Sequence, residues 1–179
     1  MLACSFTGYR PSKLPFILDK NSEYYLNLYN AIKDEICRLI DCGVTCFLTG
    51  MAQGIDLMCG EIILELKQIF DIHLFCVIPC EGQCYGWCED DKQRYQKLLY
   101  GASDIIYTSK EYFKGCMMKR NRYLVDNAEY ILAVYDGKQG GTSATIDYAK
   151  KKHRTIIIIN PTTYTRVELI HDDEGGLYV

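Results

Sequence analysis

The chain has 179 residues and a net charge of −3, and 49% of its residues are hydrophobic while 24% are charged. This composition supplies one hydrophobic core and excludes a disordered or fibrous chain. No apolar run approaches the roughly 20 residues of a membrane-spanning helix, and residues 1–5 lack the character of a signal peptide. We therefore expect one cytoplasmic domain with no membrane contact, and the acidic balance disfavours nonspecific binding to nucleic acid.

Short apolar runs alternate with segments of helical spacing along most of the chain. Residues Leu2 to Thr7 are apolar and end at Gly8, which predicts a buried strand that runs into a turn. From Glu23 to Asp41 apolar residues recur every three or four positions, which predicts a helix. The same patterns predict further strands at 44–49, 72–78, 104–108, 130–135 and 155–160, and further helices at 54–70, 90–100, 118–127 and 142–152.

These strands are apolar at nearly every position, which indicates a sheet that is buried on both faces. Their alternation with helices favours parallel pairing with helical crossovers. The predicted fold class is α/β, with a single doubly wound, mostly parallel sheet and helices on both of its faces. In this interpretation residues 1–161 form the domain, and residues 162–179 form a C-terminal tail or edge segment.

The chain contains ten cysteines, and we interpret most of them as reduced thiols because the chain is long enough to form its own core. Cys80, Cys84 and Cys88 recur every four residues and would share one face of a helix. Gly82 and Gly86 weaken a helix there, and the spacing matches no standard zinc or iron–sulfur motif. No metal site is predicted, and a redox role for these thiols stays open.

The loops after the strands are informative because the ligand crevice of a doubly wound sheet lies beyond the carboxyl ends of its strands. Three of these loops contain glycine and lead toward a helix, where free N–H groups and the helix dipole attract phosphate. Since all three end at one edge of one sheet, we expect them to converge on a phosphate-bearing ligand. The predicted ligand-binding residues in them are Thr7, Gly8, Tyr9, Arg10, Gly50, Met51, Ala52, Gln53, Gly54, Asp56, Asp136, Gly140, Gly141, Thr142 and Ser143.

Other residue patterns narrow the kind of site. The loops match neither G-x-G-x-x-G nor G-x-x-x-x-G-K-[ST], which disfavours a standard dinucleotide dehydrogenase and a P-loop NTPase. Tyr9 and Trp87 fall near the proposed crevice, where an aromatic ring can stack on a base. The three histidines are far apart in sequence and accompany no nucleophile motif, so a hydrolase triad is not supported.

Four motifs together resemble those of a known family. They are Thr7-Gly8-Tyr9-Arg10, T-G-M-A-Q-G-I-D from Thr49, R-N-R-Y-L-V-D from Arg120 and Y-D-G-K-Q-G-G-T from Tyr135. The combination resembles the YpsA-like family of bacterial and phage proteins, which belongs to the SLOG superfamily of Rossmann-like proteins. That superfamily includes the DNA-processing protein DprA, the LOG-type phosphoribohydrolases and nucleotide-sensing domains of bacterial defence systems.

The resemblance implies a Rossmann-like fold and a nucleotide ligand, such as an ADP-ribose-like signal, with no other cofactor. It implies sensing or sequestration of that signal, which in a phage protein would counter host defence. A homo-oligomer is expected because SLOG relatives commonly pair through their helices. Arg120 and Asn121 belong to the third motif and are expected to bind the ligand.

Two alternatives also follow from the resemblance. Against the LOG motif, Asp147 stands where the catalytic glutamate would be, and Arg120 would orient the substrate of an N-glycosidic hydrolase. Asp is one methylene shorter than Glu, and a carboxylate misplaced by about 1 Å can cost on the order of a hundredfold in rate. Binding without turnover is therefore the leading hypothesis. The other alternative is a DprA-like protein that binds single-stranded DNA. The net negative charge of the chain makes this alternative less favoured.

Overall fold

The computed structural model describes residues 1–171 and 177–178 of the chain. Strands and helices alternate up to residue 159, as the periodicity predicts, and one turn of 3-10 helix at Pro11–Lys13 is additional. The elements are β1 (Leu2–Gly8), α1 (Glu23–Asp41), β2 (Val44–Thr49), α2 (Ile55–Leu66), β3 (His73–Ile78), α3 (Glu89–Gly101), β4 (Asp104–Tyr107), α4 (Cys116–Asp126), β5 (Tyr130–Val134), α5 (Gly141–Lys151), β6 (Thr155–Ile159), β7 (Arg166–His171) and β8 (Leu177–Tyr178).

Local sequence signals set the bounds of α1. The Ser22 hydroxyl accepts a hydrogen bond from the Tyr25 amide at 3.2 Å, which satisfies one of the free N–H groups at the start of the helix. The buried residues Leu28, Ile32 and Ile36 follow the helical repeat and form the face that packs on the sheet. Gly43 follows the helix with a φ of +89°, a conformation that glycine adopts without strain.

The described strands form one sheet in the order β4-β3-β2-β1-β5-β6-β7-β8. All pairs from β4 to β6 are parallel, and β7 pairs antiparallel with β6. The chain starts in the middle of the sheet, builds one half outward to β4, and returns to build the other half from β5. The predicted doubly wound α/β fold is confirmed, and the strand order reverses between β1 and β5.

Each face of the sheet has its own hydrophobic core. One core joins Phe6 and Phe47 to α1, α2 and α3, and the other joins Leu48 and Ala133 to α4 and α5. Burial on both faces explains why the strands are apolar at almost every position. None of the described helices is long and apolar enough to cross a membrane.

Part of the predicted C-terminal segment lies on the sheet. β7 pairs with β6, and Arg166 Nε donates to Glu35 Oε2 of α1 at 2.8 Å. Leu169 is 7% exposed and belongs to the second core. The segment therefore covers the β6 edge over these residues, whereas residues 172–176 and 179 lie outside the described part of the chain.

One predicted element differs in length from the structure. The helix predicted over 54–70 ends at Leu66, because the chain continues from there as single turns closed by amides such as that of Ile69, which donates to Leu66 O at 2.9 Å. Residues 79–86 form a run of turns, with positive φ at Gly82 and Gly86, so the three spaced cysteines share no helix face. Within the described residues, no cluster of three or more His, Cys, Asp or Glu side chains can hold a metal ion.

Candidate functional site

A cavity of about 210 Å³ lies between the turn after β1 and the start of α5, near the point where the strand order reverses. This is the position at which doubly wound sheets bind their ligands. Its walls come from β1 and the following turn, the start of α2, the first turns of α4 and the N-terminus of α5. The lining residues are Phe6, Thr7, Gly8, Tyr9, Arg10, Ser12, Lys13, Ala52, Asp56, Met117, Arg120, Asn121, Gly141 and Thr142.

The cavity brings together predicted residues from the loops after β1 and β2 and from the starts of α4 and α5. Ten predicted residues line it: Thr7, Gly8, Tyr9, Arg10, Ala52, Asp56, Arg120, Asn121, Gly141 and Thr142. Phe6, Ser12, Lys13 and Met117 also line it and were not predicted. A signal for Lys13 was present, because a second cation follows Arg10 closely in the same loop. No sequence pattern pointed to Met117.

The start of α5 is open toward an anion. Gly140 N–H donates to Ser143 Oγ at 2.8 Å, and this hydroxyl donates back to Gly140 O at 2.9 Å. The amides of Gly141, Thr142 and Ser143 have no acceptor within the described part of the chain. Such N–H groups at a helix start carry the positive end of the helix dipole and bind phosphate readily.

Two cationic side chains stand beside this helix start. The Lys13 ammonium lies against Gly140, close to where a β-carbon at that residue would be. Neither Lys13 nor Arg10 forms a salt bridge with any described acidic residue. A lysine cation at the positive end of a helix is an unfavourable arrangement on its own. The local field therefore favours an anion between Lys13 and α5.

The loop after β2 uses its first glycine for internal packing. Arg120 Nη1 donates to Gly50 O, and a β-carbon at Gly50 would collide with this guanidinium. Gln83 Nε2 donates to Met51 O at 2.7 Å and to Gly50 O at 3.3 Å. Gly50 thus makes room for Arg120, and Met51 is completely buried. The structure places neither residue on the cavity wall.

Gln53 and Gly54 of the same loop also lie against other parts of the protein. Gln53 Nε2 donates to Asp91 Oδ2 of α3 at 2.7 Å. Gly54 has a φ of +91°, and a β-carbon there would lie 2.5 Å from Tyr9 O. Glycine is therefore required at 54 because two stretches of backbone meet, and not because a phosphate approaches. Ala52 and Asp56 are the residues of the predicted set in this loop that reach the cavity.

A buried ion pair lies at the base of the cavity. Arg120 Nη1 is 3.5 Å from Asp56 Oδ2, and the two residues are 4% and 6% exposed. Burial raises the pKa of Asp56, although the positive charge of Arg120 acts to lower it. Burial also lowers the pKa of Arg120. Asp56 Oδ2 also accepts the Ala52 amide at 3.3 Å. Arg120 Nε is buried and has no hydrogen-bond partner within the described residues.

A hydrogen bond joins the loops after β1 and β5. The Tyr9 hydroxyl donates to Asp136 Oδ1, and Lys138 Nζ donates to Asp136 Oδ2 at 2.7 Å. Burial and this bond to Asp136 raise the pKa of Tyr9 to about 12. Tyr9 is only 2% exposed, and its ring centroid is 6.0 Å from that of Tyr135. Its ring is therefore not open for stacking on a base, and Asp136 lies behind the cavity wall, where it holds Tyr9.

Two further predicted residues, Trp87 and Asp147, lie away from the cavity. Trp87 packs edge-on against Tyr95 of α3, with ring centroids 5.5 Å apart, so it is not positioned to stack on a ligand there. Asp147 is exposed on α5 and does not line the cavity. The reason is the helical repeat, because Thr142, Thr145 and the neighbouring Ile146 form the buried face. Asp56 is the one carboxylate among the described lining residues.

The fold and the cavity at its strand-order reversal define a doubly wound α/β protein of the Rossmann-like class. A family model described as the YspA SLOG family matches residues 4–164. The chain belongs to this family, YpsA, as the four sequence motifs predict. The match begins within β1, continues through β6 and includes all residues that line the cavity.

Several bacterial relatives are similar over most of their length. A UPF0398 protein of Halalkalibacterium halodurans is 29% identical over 86% of this chain and 83% of its own. The uncharacterized SPbeta prophage-derived protein YoqJ of Bacillus subtilis is 31% identical over 68% of this chain and 82% of its own. The UPF0398 protein YpsA of the same organism is 26% identical over 85% of this chain and 86% of its own.

Two solved structures share the fold. The chain superposes on DNA processing protein A of Helicobacter pylori with a TM-score of 0.61 at 16% identity, covering 88% of this chain and 64% of that protein. The Streptococcus pneumoniae protein DprA gives a TM-score of 0.60 at 14% identity, covering 88% of this chain and 50% of its own. The Helicobacter structure is described by its single-stranded DNA binding mode. At such identities the likeness extends to the fold alone.

Proposed function

We propose that this protein binds a nucleotide or nucleotide-derived signal, of the ADP-ribose type, with a phosphate in the cavity beside α5. The role is sensing or sequestration, and for a phage-encoded member it would be removal of a host defence signal. The observation that carries the proposal is the position of the Lys13 ammonium over Gly140, at the positive end of α5. An anion in contact with both the Lys13 ammonium and the free amides of α5 would satisfy both.

The size of the cavity indicates which part of the ligand it holds. Its volume of about 210 Å³ is below the roughly 300–1,000 Å³ of pockets that enclose a whole small molecule. A phosphate with its attached sugar fits this space, and the base would extend past the exposed residues Arg10 and Ser12. The cavity thus recognises the sugar phosphate, and the base contributes less to affinity.

The side chains of the cavity favour binding over hydrolysis. Glycoside-cleaving sites use two carboxyl groups on either side of the bond. Within the described residues the cavity presents Asp56 alone, and that carboxylate already faces Arg120 and the Ala52 amide. Asp147, which takes the place of the LOG glutamate in the sequence, is turned to solvent. The arrangement therefore supports a ligand that is held without turnover.

Calorimetric titration with ADP-ribose, AMP and inorganic phosphate tests this proposal. A side chain at Gly141 would meet no atom within 4 Å and would project from the cavity rim, so Gly141→Val should abolish binding while the melting temperature is kept. Lys151→Ala, at the far end of α5, is the matched control and should bind normally. Chromatography of the same mixtures should show no released base. Binding to Gly141→Val at wild-type affinity, or sustained release of base, would contradict the proposal.

A second candidate is single-stranded DNA, and one surface favours it despite the acidic net charge. Between residues 107 and 122 the exposed basic side chains outnumber the acidic ones, Glu111 being the one acidic residue in this stretch. Tyr112 and Phe113 are 73% and 44% exposed among them. Exposed rings between cations are typical of surfaces on which single strands stack. The basic residues are Lys110, Lys114, Lys119 and Arg122.

Fluorescence anisotropy with a labelled single-stranded oligodeoxynucleotide separates the two candidates. If DNA is the ligand, Lys114→Ala should reduce the slope of log affinity against log salt by about one, and Tyr112→Ala should weaken binding at every salt concentration. Lys151→Ala serves again as the control. No complex at near-physiological salt would remove this candidate and leave the nucleotide proposal intact.

A further inference from the structure

Another cavity, of about 430 Å³, lies between α4 and the edge strand β4. We call it the β4–α4 cavity, and it shares no lining residue with the cavity at the strand-order reversal. Its volume lies within the range of pockets that enclose a small molecule. The lining residues are Ile106, Tyr107, Thr108, Lys119, Arg122, Tyr123 and Asp126.

Two faces of α4 serve the two cavities. Met117, Arg120 and Asn121 follow the helical repeat and line the cavity at the strand-order reversal. The residues of α4 that line the β4–α4 cavity follow the same repeat, offset by two positions or about 200° around the helix. Arg122 and Tyr123 belong to the third sequence motif, and the first cavity uses neither of them.

The β4–α4 cavity is open because β4 lies at the edge of the sheet. Within the described part of the chain, β4 pairs with β3 only. Tyr107 of β4 is 52% exposed, and Tyr123 of α4 is partly buried against the second core. Two tyrosines, one from each element, therefore line a cavity that solvent can enter, and such rings can stack on the flat face of a base.

The wall of this cavity carries two cations that form no salt bridge with a described carboxylate. Lys119 Nζ donates to a carbonyl oxygen at the end of β4, and the Arg122 guanidinium lies 5.6 Å from the centre of the Tyr148 ring. The one lining carboxylate, Asp126, is paired with Lys152 at 3.1 Å. The cavity wall is therefore positive on balance and favours an anionic ligand.

We propose that the β4–α4 cavity binds one nucleotide of single-stranded DNA, with the base against Tyr107 and Tyr123 and its phosphates near Lys119 and Arg122. The inference rests on single-stranded DNA as the second candidate function, and it assigns a position to one base of that strand. Stacking on an aromatic ring tolerates every base, because each base has a flat face. The cavity therefore holds an unpaired base without reading its identity.

An open edge strand also suggests a peptide that adds a strand to the sheet, but this edge disfavours it. The Ile105 amide already donates to Asp104 Oδ1 at 2.8 Å. A charged side chain on an edge strand is one way in which proteins block such pairing. The segment after β4 instead continues the pattern of cations and rings, with Tyr112 73% exposed between Lys110 and Lys114.

Photocrosslinking of the wild-type, full-length protein tests the position of the base. A single-stranded oligodeoxynucleotide with 5-iodouracil in place of thymine is bound at near-physiological salt, irradiated and digested, and modified peptides are identified by mass spectrometry. We expect crosslinks at Tyr107 or Tyr123. Crosslinks confined to other parts of the chain would overturn the inference and leave the DNA candidate intact, whereas the absence of any complex would remove both.

Fluorescence anisotropy with single-stranded DNA measures the contribution of the cavity. Tyr107→Ala should weaken binding by roughly 5- to 150-fold, as expected for one stacked base. Tyr100→Ala removes an exposed tyrosine at the end of α3, so it is the matched control and should bind normally. Arg122→Gln should reduce the slope of log affinity against log salt by roughly 0.7–1.

Two results of the binding measurements would overturn the inference. One is wild-type affinity in Tyr107→Ala. The other is equal affinity of the wild-type protein for the matching duplex, because a paired base cannot enter the cavity without leaving its stack. Crosslinking and duplex competition use the wild-type protein, so the test is decisive even if a variant fails to fold.

Discussion

Arg120 and Asp56 form an ion pair inside the protein, with Nη1 3.5 Å from Oδ2. The pair joins α4 to the first turn of α2 beneath the cavity, and both residues are less than a tenth exposed. Removal of water from both charges is costly, so each group depends on the other for compensation. The same arginine also donates to Gly50 O, and the pair therefore holds the loop after β2 in place.

Loss of one partner should be more damaging than loss of both. We expect Asp56→Asn to lower the free energy of unfolding by about 3–5 kcal/mol, because the Arg120 charge stays buried without compensation. The double variant Asp56→Asn with Arg120→Met should recover a large part of that loss. Urea denaturation of the single and double variants measures the effect. Additive losses in the double variant would show that the two charges are not coupled.

The hydrogen bonds to Asp136 should appear in the acid sensitivity of the protein. Burial raises the pKa of Asp136, but the hydrogen bonds from Lys138 and Tyr9 lower it by more. The pKa of Asp136 therefore lies below its ordinary value. A carboxyl group with a depressed folded pKa contributes its stability above the unfolded value of about 3.9, and this contribution is lost as pH falls through the folded pKa. The free energy of unfolding should therefore fall below about pH 4.

Asp136→Asn isolates this contribution. The variant should be less stable than wild type at neutral pH and should show a shallower loss of stability below about pH 4. Urea titrations at a series of pH values give both quantities. Parallel pH profiles for the two proteins would mean that Asp136 makes no such contribution.

Tyr9→Phe should lower the free energy of unfolding by about 1.5–3 kcal/mol at neutral pH, since it removes a hydrogen bond to a charged acceptor.

The position of Lys13 predicts opposite effects with and without ligand. Without ligand at low ionic strength, Lys13→Ala should raise the free energy of unfolding by about 0.3–1 kcal/mol, because a cation leaves the positive end of α5. Lys151→Ala at the other end of α5 should lower it by a similar amount. With ADP-ribose, Lys13→Ala should weaken binding by about 1.5–3 kcal/mol. Equal stability changes in the two lysine variants would argue against a dipole effect.

The two glycines Gly54 and Gly141 should respond differently to alanine. Gly54→Ala should destabilise the fold by about 2 kcal/mol or more, because its φ is +91° and its β-carbon would lie 2.5 Å from Tyr9 O. Gly141→Ala should leave stability unchanged or slightly raised, since it begins a helix and its β-carbon meets no atom within 4 Å. Thermal melts followed by circular dichroism compare them, and equal melting temperatures would contradict the structure.

Local patterns predicted the elements well where burial is uniform. The helix at Glu23–Asp41 and the strand at Val44–Thr49 agree at both ends, because a cap, a glycine and the apolar repeat all act within a few residues. β7 was missed, because Arg166–His171 mixes charged and apolar residues and is ordered by pairing with β6 and by the bond from Arg166 to Glu35. Such pairing lies outside any local window.

The structure brings the predicted segments together at one cavity, but it gives several of the predicted residues partners inside the protein. Glycine after a strand signals a backbone requirement, but it does not say whether the close neighbour is a ligand or the protein itself. At Gly50 that neighbour is the Arg120 side chain, and at Gly54 it is the backbone of Tyr9. Trp87 and Asp147 were assigned to the site by their order in the sequence. In the structure Trp87 packs against Tyr95, and Asp147 lies on the exposed face of α5.

The sequence by itself determined the α/β class, the order of strands and helices, and the edge of the sheet where the glycine loops end. These follow from periodicity and from the rule that parallel strands end on one side. Only the tertiary structure decided that Lys13 lies over the start of α5 and that Arg120 pairs with Asp56. Contacts of this kind join residues far apart in the chain, and they form only when the core brings separate elements together.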